Sequence, residues 1–233
     1  MAAMSSPAAE RTAAGVRRMF DRVAPRYDLA NTVFSLGQDR LWRQAAARAT
    51  GLEAGERAAD VACGTGALTW ELGRLAPGAA VVGLDFSLEM LRRAAAGGAA
   101  YVAGDAMRLP LADASVDVVT IAFGLRNLPE PGHGLLELRR VLRPGGRLVV
   151  CEFSHPVVPV LGTVYRRYLR RLMPLAARRL TSDPEAYEYL ARSIGAWPDQ
   201  PGLAGWLREA GFAEVRWRDL SGGIVALHRG VAP

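Results

Sequence analysis

Apolar runs and amphipathic segments alternate along the middle of the chain. The runs have the length of buried strands, and most are followed by a segment in which apolar residues recur at helical spacing. Such alternation is typical of a parallel sheet with helices on both faces. We therefore predict an α/β fold, a Rossmann-like doubly wound sheet, with strands at 57–62, 79–84, 100–103, 116–121 and 146–152 and helices at 66–76, 87–96 and 132–142.

The C-terminal part adds a helix and two strands. Residues 202–210 have helical spacing and end at Gly211, and residues 213–219 and 224–228 have the composition of strands. Gly222 and Gly223 separate the two strands, where a tight turn would join them. The last strand is therefore predicted to run antiparallel to its neighbour.

Two helical segments lie outside this alternation. Residues 10–50 precede the first strand and place Val16, Phe20 and Val23 on one face, which predicts an N-terminal helical cap. Residues 155–195 follow the fifth strand and predict a helical lid insertion. No linker separates these segments from the sheet, so residues 1–233 are expected to form a single domain.

The predicted lid contains a basic amphipathic helix. One interpretation packs this helix on the core with its arginines in solvent, and another lays it on an anionic membrane surface. Both hold if the lid opens toward lipid. The apolar face is Leu161, Val164, Tyr165, Tyr168, Leu169 and Leu172, and the basic face is Arg166, Arg167, Arg170 and Arg171.

Composition narrows the classes of function. All 29 basic residues are arginine, and the net charge is +6. Abundant alanine and arginine without lysine indicates biased codon usage, so the charge is weak evidence for nucleic acid, and no nucleic-acid partner is predicted. An RNA-binding protein that retains a cofactor fold is the non-catalytic alternative.

The sequence also bears on location. No apolar run reaches the roughly 20 residues of a membrane span, and residues 1–10 lack the pattern of a signal peptide. We expect a cytoplasmic protein.

The turn after the first predicted strand carries the strongest functional signal. Gly64 and Gly66 would let the backbone approach a ligand where a Cβ would collide with it, and the following helix N-terminus attracts a carboxylate. Asp60 either orients the turn or meets an amino group. Asp85 ends the next strand, where it can accept hydrogen bonds from a ribose diol. Thr69 replaces the third glycine of a dinucleotide site, which favours a ligand without pyrophosphate.

A further acid supports a nucleoside ligand. Asp105 follows the third strand, where its carboxylate can accept a hydrogen bond from an adenine amino group. The ends of parallel strands meet at one edge of the sheet. The ligand that needs carboxylate capture, a ribose clamp and an adenine contact is S-adenosylmethionine, which we predict as the cofactor. A glycine turn without a ligand is the alternative.

The turn after the fourth strand is predicted to face the substrate with Arg126 and Asn127, because the crevice beyond the strand ends holds the reacting groups. In the competing interpretation Arg126 caps the next helix or pairs with Glu130. The three histidines lack the spacing of metal ligands, and there is no nucleophile elbow, so no metal is predicted and hydrolysis is excluded.

Four blocks of residues form a recognisable pattern. They are Met19–Asp21 with Tyr27–Asp28; Tyr27–Asn31 through Ser35, Gly37, Arg40 and Trp42; Phe123–Asn127; and Arg140–Gly146 through Glu152–Ser154. In these blocks the chain resembles the demethylmenaquinone methyltransferases, a family that in other bacteria also methylates the ubiquinone precursor. Asp39 departs from the family pattern, which usually has histidine there, and this argues against proton transfer at that position. Ala177 departs where the family usually has glycine.

The resemblance implies a class I S-adenosylmethionine-dependent methyltransferase. Its substrate would be demethylmenaquinol, methylated to menaquinol in the last step of menaquinone biosynthesis. Another phenolic or small-molecule substrate, including the ubiquinone precursor, is the alternative. A homodimer and transient contact with the inner face of the membrane both stay open. The implied cofactor contacts include Thr69, Asp85, Asp105, Ala106 and Ala122, and the substrate contacts are Tyr27, Asp28 and Asn31.

Methyl transfer to carbon needs an ionised ring hydroxyl, and a free phenol has a pKa of about 10. The hypothesis is that the Arg126 cation lowers this pKa and that Asn127 holds the oxygen by a hydrogen bond. The proton acceptor stays open between a water and a carboxylate such as Asp28.

Overall fold

The computed structural model describes residues 13–24, 27–94, 99–169 and 184–233. Within these residues seven strands form one sheet in the order β3-β2-β1-β4-β5-β7-β6. Strands β1 to β5 are parallel, and β7 is antiparallel to both β5 and β6. The predicted sheet with an antiparallel last strand is confirmed. Its strands are β1 (Arg57–Val61), β2 (Ala80–Asp85), β3 (Ala100–Ala103), β4 (Val116–Ala122), β5 (Leu142–Phe153), β6 (Ala213–Leu220) and β7 (Val225–Val231).

Helices flank the sheet and precede it. The structure differs from the prediction at residues 87–96, where α5 ends at Leu91 and the chain continues in turns. That segment leads toward Gly97 and Gly98, residues with poor helix propensity, while residues 95–98 lie outside the described ranges. The helices are α1 (Ala13–Val23), α2 (Tyr27–Phe34), α3 (Gln38–Thr50), α4 (Ala67–Leu75), α5 (Leu88–Leu91), α6 (Pro131–Val141), α7 (Pro159–Arg167), α8 (Pro184–Ala196) and α9 (Gln200–Glu209).

The core lies in two layers, one on each face of the sheet. On one face Val118 and Val149 pack with residues of α3 and α4, including Trp42. On the other face the next residues along the strands, Val119 and Val150, pack with leucines of α6 and α9. Successive side chains of a strand point to opposite faces, so strands buried on both faces read as continuous apolar runs.

Helices of the N-terminal cap and helices inserted after β5 meet above the carboxyl ends of the strands. Met19 of α1 is buried in a cluster with Ala186, Tyr187 and Tyr189 of α8. The Tyr168 hydroxyl donates a hydrogen bond to the carbonyl oxygen of Phe34 at 3.0 Å. These contacts enclose space between the helices and the sheet.

The predicted apolar face of the lid helix divides in the structure. Leu169 is buried, whereas Val164 is 60% exposed. The part of the predicted amphipathic helix that contains Arg170, Arg171 and Leu172 lies outside the described residues. Across the described ranges, every helix falls short of the length and apolarity that a membrane span requires.

Candidate functional site

The carboxylate of Asp60 lies beneath the glycine turn. It accepts hydrogen bonds from the hydroxyls of Thr69 at 2.6 Å and Thr120 at 2.8 Å. Asp60 and Thr69 are almost completely buried, and burial raises the pKa of Asp60 to about 6. The structure therefore gives Asp60 an orienting position that ties α4 to β4. A cofactor contact at Asp60 or Thr69 stays a prediction.

Position 66 requires glycine because of its backbone conformation and because the Tyr101 side chain lies close to it. Its φ is +79°, and a Cβ there would lie 2.8 Å from a ring carbon of Tyr101 on β3. A Cβ at Gly83 would approach the same ring, also at 2.8 Å. A Cβ at Gly66 would therefore collide with Tyr101, and the close approach of a ligand to this glycine stays a prediction.

A smaller cavity of about 90 Å³ opens at the ends of β1 to β4, and the acids predicted to hold a nucleoside line it. Each Asp85 oxygen accepts a backbone N–H bond, from Gly64 at 2.8 Å and from Ser87 at 2.8 Å. Burial raises the pKa of Asp85. Asp105 accepts a bond from the Met107 N–H at 2.9 Å. Further lining residues are Gly64, Gly104, Ala106 and Ala122.

Helix α1 covers this smaller cavity. Val16 and Phe20 line it, and Asp21 accepts a hydrogen bond from the Ser87 hydroxyl at 2.5 Å. The Ser87 hydroxyl in turn accepts the Met90 N–H at the start of α5. The cap is thereby attached to the edge of the sheet where Asp85 lies.

A larger cavity of about 470 Å³ lies between the cap helices, the ends of β4 and β5, and helices α7 and α8. Trp42, Phe123 and Phe153 form an aromatic wall, with ring centroids 5.0 to 6.2 Å apart. The ring centroids of Phe34 and Tyr187 lie 4.7 Å apart. Apolar walls with a few polar groups are typical of sites for apolar small molecules.

The turn after β4 separates the two cavities. Phe123 and Asn127 line both of them. Phe123 has a φ of +57°, a left-handed conformation that is strained for an aromatic residue. Its carbonyl oxygen accepts bonds from Arg126 Nη1 at 2.6 Å and Asn127 Nδ2 at 3.1 Å. A Cβ at Gly124 would lie 2.6 Å from the Ala62 Cβ, so the turns after β1 and β4 touch there.

Arg126 lines the larger cavity but is 4% exposed and forms an ion pair with Glu152. Its Nη1 lies 2.7 Å from Glu152 Oε1. Burial raises the pKa of Glu152, while the adjacent guanidinium opposes that rise. The carboxylate paired with Arg126 is Glu152, rather than the Glu130 considered from the sequence. The guanidinium charge is therefore balanced inside the protein by Glu152, and the catalytic role of Arg126 stays a prediction.

Asn127 joins the turn to the lid. Its Oδ1 accepts a hydrogen bond from the Tyr189 hydroxyl of α8 at 3.2 Å. Of the residues predicted to contact substrate, Asn31 lines the larger cavity, whereas the side chains of Tyr27 and Asp28 lie outside what the structure describes.

Three residues of the site were not predicted from the sequence. Glu152 interrupts an apolar strand, which was the available signal for a buried charge with a partner. Tyr189 lies on α8 and donates its hydroxyl hydrogen bond to Asn127. Asp39, which was set aside from proton transfer, lines the larger cavity.

Comparison with known sequences identifies the family of the chain. The profile of the ubiE/COQ5 methyltransferase family matches residues 7–232. The chain belongs to the ubiE/COQ5 methyltransferase family. The resemblance identified from the four blocks is thereby confirmed.

Similar proteins span nearly the whole chain. A protein from Mycobacterium sp. (strain KMS), named demethylmenaquinone methyltransferase, is 55% identical over 218 residues, or 94% of each chain. One of the same name from Mycobacterium marinum is 53% identical over 230 residues, or 99% of each.

Solved structures share the fold. A methyltransferase from Thermotoga maritima, described as a possible histamine N-methyltransferase, has a TM-score of 0.69 at 20% identity and covers 94% of this chain and 100% of its own. The [4+2]-cyclase SpnF also has a TM-score of 0.69, at 18% identity, covering 99% of this chain and 97% of its own. The predicted class I S-adenosylmethionine-dependent methyltransferase fold is confirmed.

Asp60→Asn should flatten part of the dependence of stability on pH. Because the folded-state pKa of Asp60 is raised from 3.8 to about 6, the folded protein binds this proton more tightly than the unfolded chain. The contribution is full below about pH 4 and is lost as pH rises to about 6. We compare the free energies of unfolding of wild type and Asp60→Asn from denaturant titrations. Relative to the variant, wild type should lose about 2–3 kcal/mol of stability between pH 4 and a pH above 6.

A difference between wild type and Asp60→Asn that stays constant from pH 4 to above pH 6 would show that Asp60 does not titrate in this way.

Gly66→Ala should destabilise the protein by about 1–3 kcal/mol, because the new Cβ is strained at positive φ and meets Tyr101. Gly73→Ala is the matched control, since Gly73 lies within α4 and a Cβ there meets nothing within 4 Å. This control should be neutral or stabilising by up to about 1 kcal/mol. Equal thermal midpoints for Gly66→Ala and wild type would contradict the role assigned to Gly66.

Proposed function

We propose that the protein transfers a methyl group from S-adenosylmethionine to a ring carbon of demethylmenaquinol, giving menaquinol. The observation that carries the proposal is the junction of a small cavity lined by two strand-end carboxylates with a large apolar cavity, at Phe123 and Asn127. The names of relatives more than 50% identical support the same substrate.

The residues of the smaller cavity fit the cofactor. Asp85 is held rigidly by two backbone N–H groups, and each carboxylate oxygen keeps lone pairs for a ribose hydroxyl. Asp105 offers an acceptor for an amino group, and Met90 and Leu128 add apolar wall for an adenine ring. When bound, S-adenosylmethionine supplies an electrophilic methyl group on a positively charged sulfur. Ala106 and Ala122 would contact it from the neighbouring strand ends.

The larger cavity fits a flat, apolar quinol. Its aromatic wall would stack against fused rings, and the helices above it would limit the access of water. Since the sulfonium charge is neutralised as the methyl group moves and the quinol hydroxyl loses its proton, a dry site favours the reaction. Asn127 has a second Nδ2 proton beyond the one it gives to Phe123, and it lies where both cavities meet. We assign it the hydrogen bond to the reacting quinol oxygen.

Arg126 serves this site chiefly by holding the turn. Its guanidinium bonds to the Phe123 carbonyl and to Glu152, and those bonds set the position of Asn127.

The direct experiment incubates the purified protein with methyl-labelled S-adenosylmethionine and short-chain demethylmenaquinol under reducing conditions. We expect labelled menaquinone after reoxidation. A benzoquinol that models the ubiquinone precursor, tested in parallel, distinguishes the alternative substrate. Absence of label in the naphthoquinone product from folded protein would refute the proposal.

Asn127→Ala should lower kcat at least tenfold, because the variant loses the bond to the reacting oxygen. Affinity for S-adenosylhomocysteine, measured by calorimetry, should change less than threefold. Tyr189→Phe is the companion variant, and it should lower kcat less because it removes only a bond that orients Asn127. Equal losses in kcat and cofactor affinity for Asn127→Ala would instead assign Asn127 to the cofactor.

We also propose a transient contact with the cytoplasmic face of the membrane, where the quinol resides. Val157, Val158 and Val160 at the start of α7 are 58%, 49% and 74% exposed. The same helix contributes Leu161 and Val164 to the larger cavity, so this apolar patch borders the substrate site. The net charge of +6 favours an anionic lipid surface.

Val160→Asp should reduce cosedimentation with phosphatidylglycerol vesicles severalfold, since a carboxylate in the patch repels anionic lipid and resists burial. Leu136→Asp, at a 49% exposed position on α6, is the matched control and should bind like wild type. Turnover of soluble short-chain substrate should be the same in both variants. Equal vesicle binding by Val160→Asp and wild type would place the contact elsewhere.

A further inference from the structure

The proposed reaction requires an acceptor for the proton of the quinol hydroxyl. Among the described residues that line the larger cavity, Asp39 is the only carboxylate, and none is histidine. The arginines of this lining keep their protons. Burial raises the pKa of Tyr165 and of Tyr168, so these phenols also stay protonated.

The Asp39 carboxylate is held in a defined orientation. It lies in the first turn of α3 and is 7% exposed. Its Oδ1 accepts a hydrogen bond from the Ser35 hydroxyl at 3.1 Å, and its Oδ2 lies 2.6 Å from Arg43 Nη1. A carboxylate has about four lone-pair sites, so these two contacts leave it able to accept another proton.

Helix α3 places Arg43, the ion-pair partner of Asp39, at the side of this cavity that borders the smaller cavity. The guanidinium carbon of Arg43 lies 5.7 Å from the ring centroid of Phe123. The ring of Trp42 is 5.9 Å from the same ring. Because Phe123 lines both cavities, the first two turns of α3 face the junction where the reacting carbon would lie.

We propose that Asp39 is a catalytic residue that accepts the hydroxyl proton of the quinol as the methyl group reaches the ring carbon. The inference rests on the proposed function. In the step a carbon–carbon bond forms and the sulfur–carbon bond breaks, while the O–H electron pair becomes part of a carbonyl. The ring carbon then releases its hydrogen to solvent as a proton, and the C–H electron pair restores the aromatic ring. Asp39 returns its proton to the oxygen, so that one proton is released overall.

A carboxylate is a sufficient base for this step although phenols are weak acids. As the methyl group binds to carbon, the hydroxyl oxygen takes on the character of a protonated carbonyl, which is a strong acid. Proton transfer to Asp39 therefore becomes favourable in the transition state, where general-base catalysis acts. Asp39 itself contacts Ser35 and Arg43. The other titratable residues among the described lining of the cavity are Arg126, Tyr165, Arg167, Tyr168, Tyr187 and Tyr189.

Asp39→Asn tests the proposal in the labelled methyl-transfer assay. The amide has nearly the same shape but cannot accept the proton, so kcat should fall at least 100-fold with the KM for quinol within about threefold. Asp113→Asn, on the surface, is the control and should keep wild-type kcat. Thermal melting and S-adenosylhomocysteine binding verify that the variant is folded.

Asp39→His supplies a second readout that a merely structural role would not change. An imidazole accepts a proton only when neutral, so activity should be partly restored over Asp39→Asn and should be lost on acidification through about pH 6.5. Wild type should not lose activity on acidification through this pH range.

The outcomes separate the two proposals. Wild type that forms product while folded Asp39→Asn keeps more than a third of its kcat overturns the role of Asp39 and leaves the function standing. A pH profile of Asp39→His that coincides with wild type overturns it equally. Wild type that forms no methylated naphthoquinone overturns the function itself.

Discussion

The buried ion pair between Arg126 and Glu152 is the interaction on which the site depends. Both residues are almost completely excluded from solvent, and removing one member of such a pair typically costs about 3–5 kcal/mol. The pair fixes a turn in which Phe123 adopts a strained left-handed conformation. That turn separates the two cavities, and the ion pair holds it in one conformation.

The two cavities arise from different parts of the architecture. The smaller one exists because parallel strands end at one edge of the sheet, which brings Asp85 and Asp105 together. The larger one exists because cap helices from the N-terminus and lid helices inserted after β5 meet above that edge. The sheet thus provides the cofactor groups shared by many proteins of this fold, and the added helices provide the apolar enclosure for a quinol.

The sequence predicted the sheet and one side of the site well. Alternating apolar runs specify a parallel sheet directly, and Asp85 and Asp105 lie at the cavity because strand ends fix their positions. The partner of Arg126 was not predictable from local pattern, because Glu152 is 26 residues away and meets it only through the pairing of β4 with β5. The contact of Tyr101 with Gly66 and the position of Asp39 at the larger cavity were not predictable for the same reason, because both depend on how separate elements pack.

A crystal structure of the protein with S-adenosylhomocysteine and a short-chain naphthoquinone tests the two-cavity arrangement most directly. The account predicts the nucleoside against Asp85 and Asp105, the quinone ring against Trp42, and Asn127 between the sulfur and the ring. A quinone bound outside the larger cavity, or a nucleoside within it, would contradict the account.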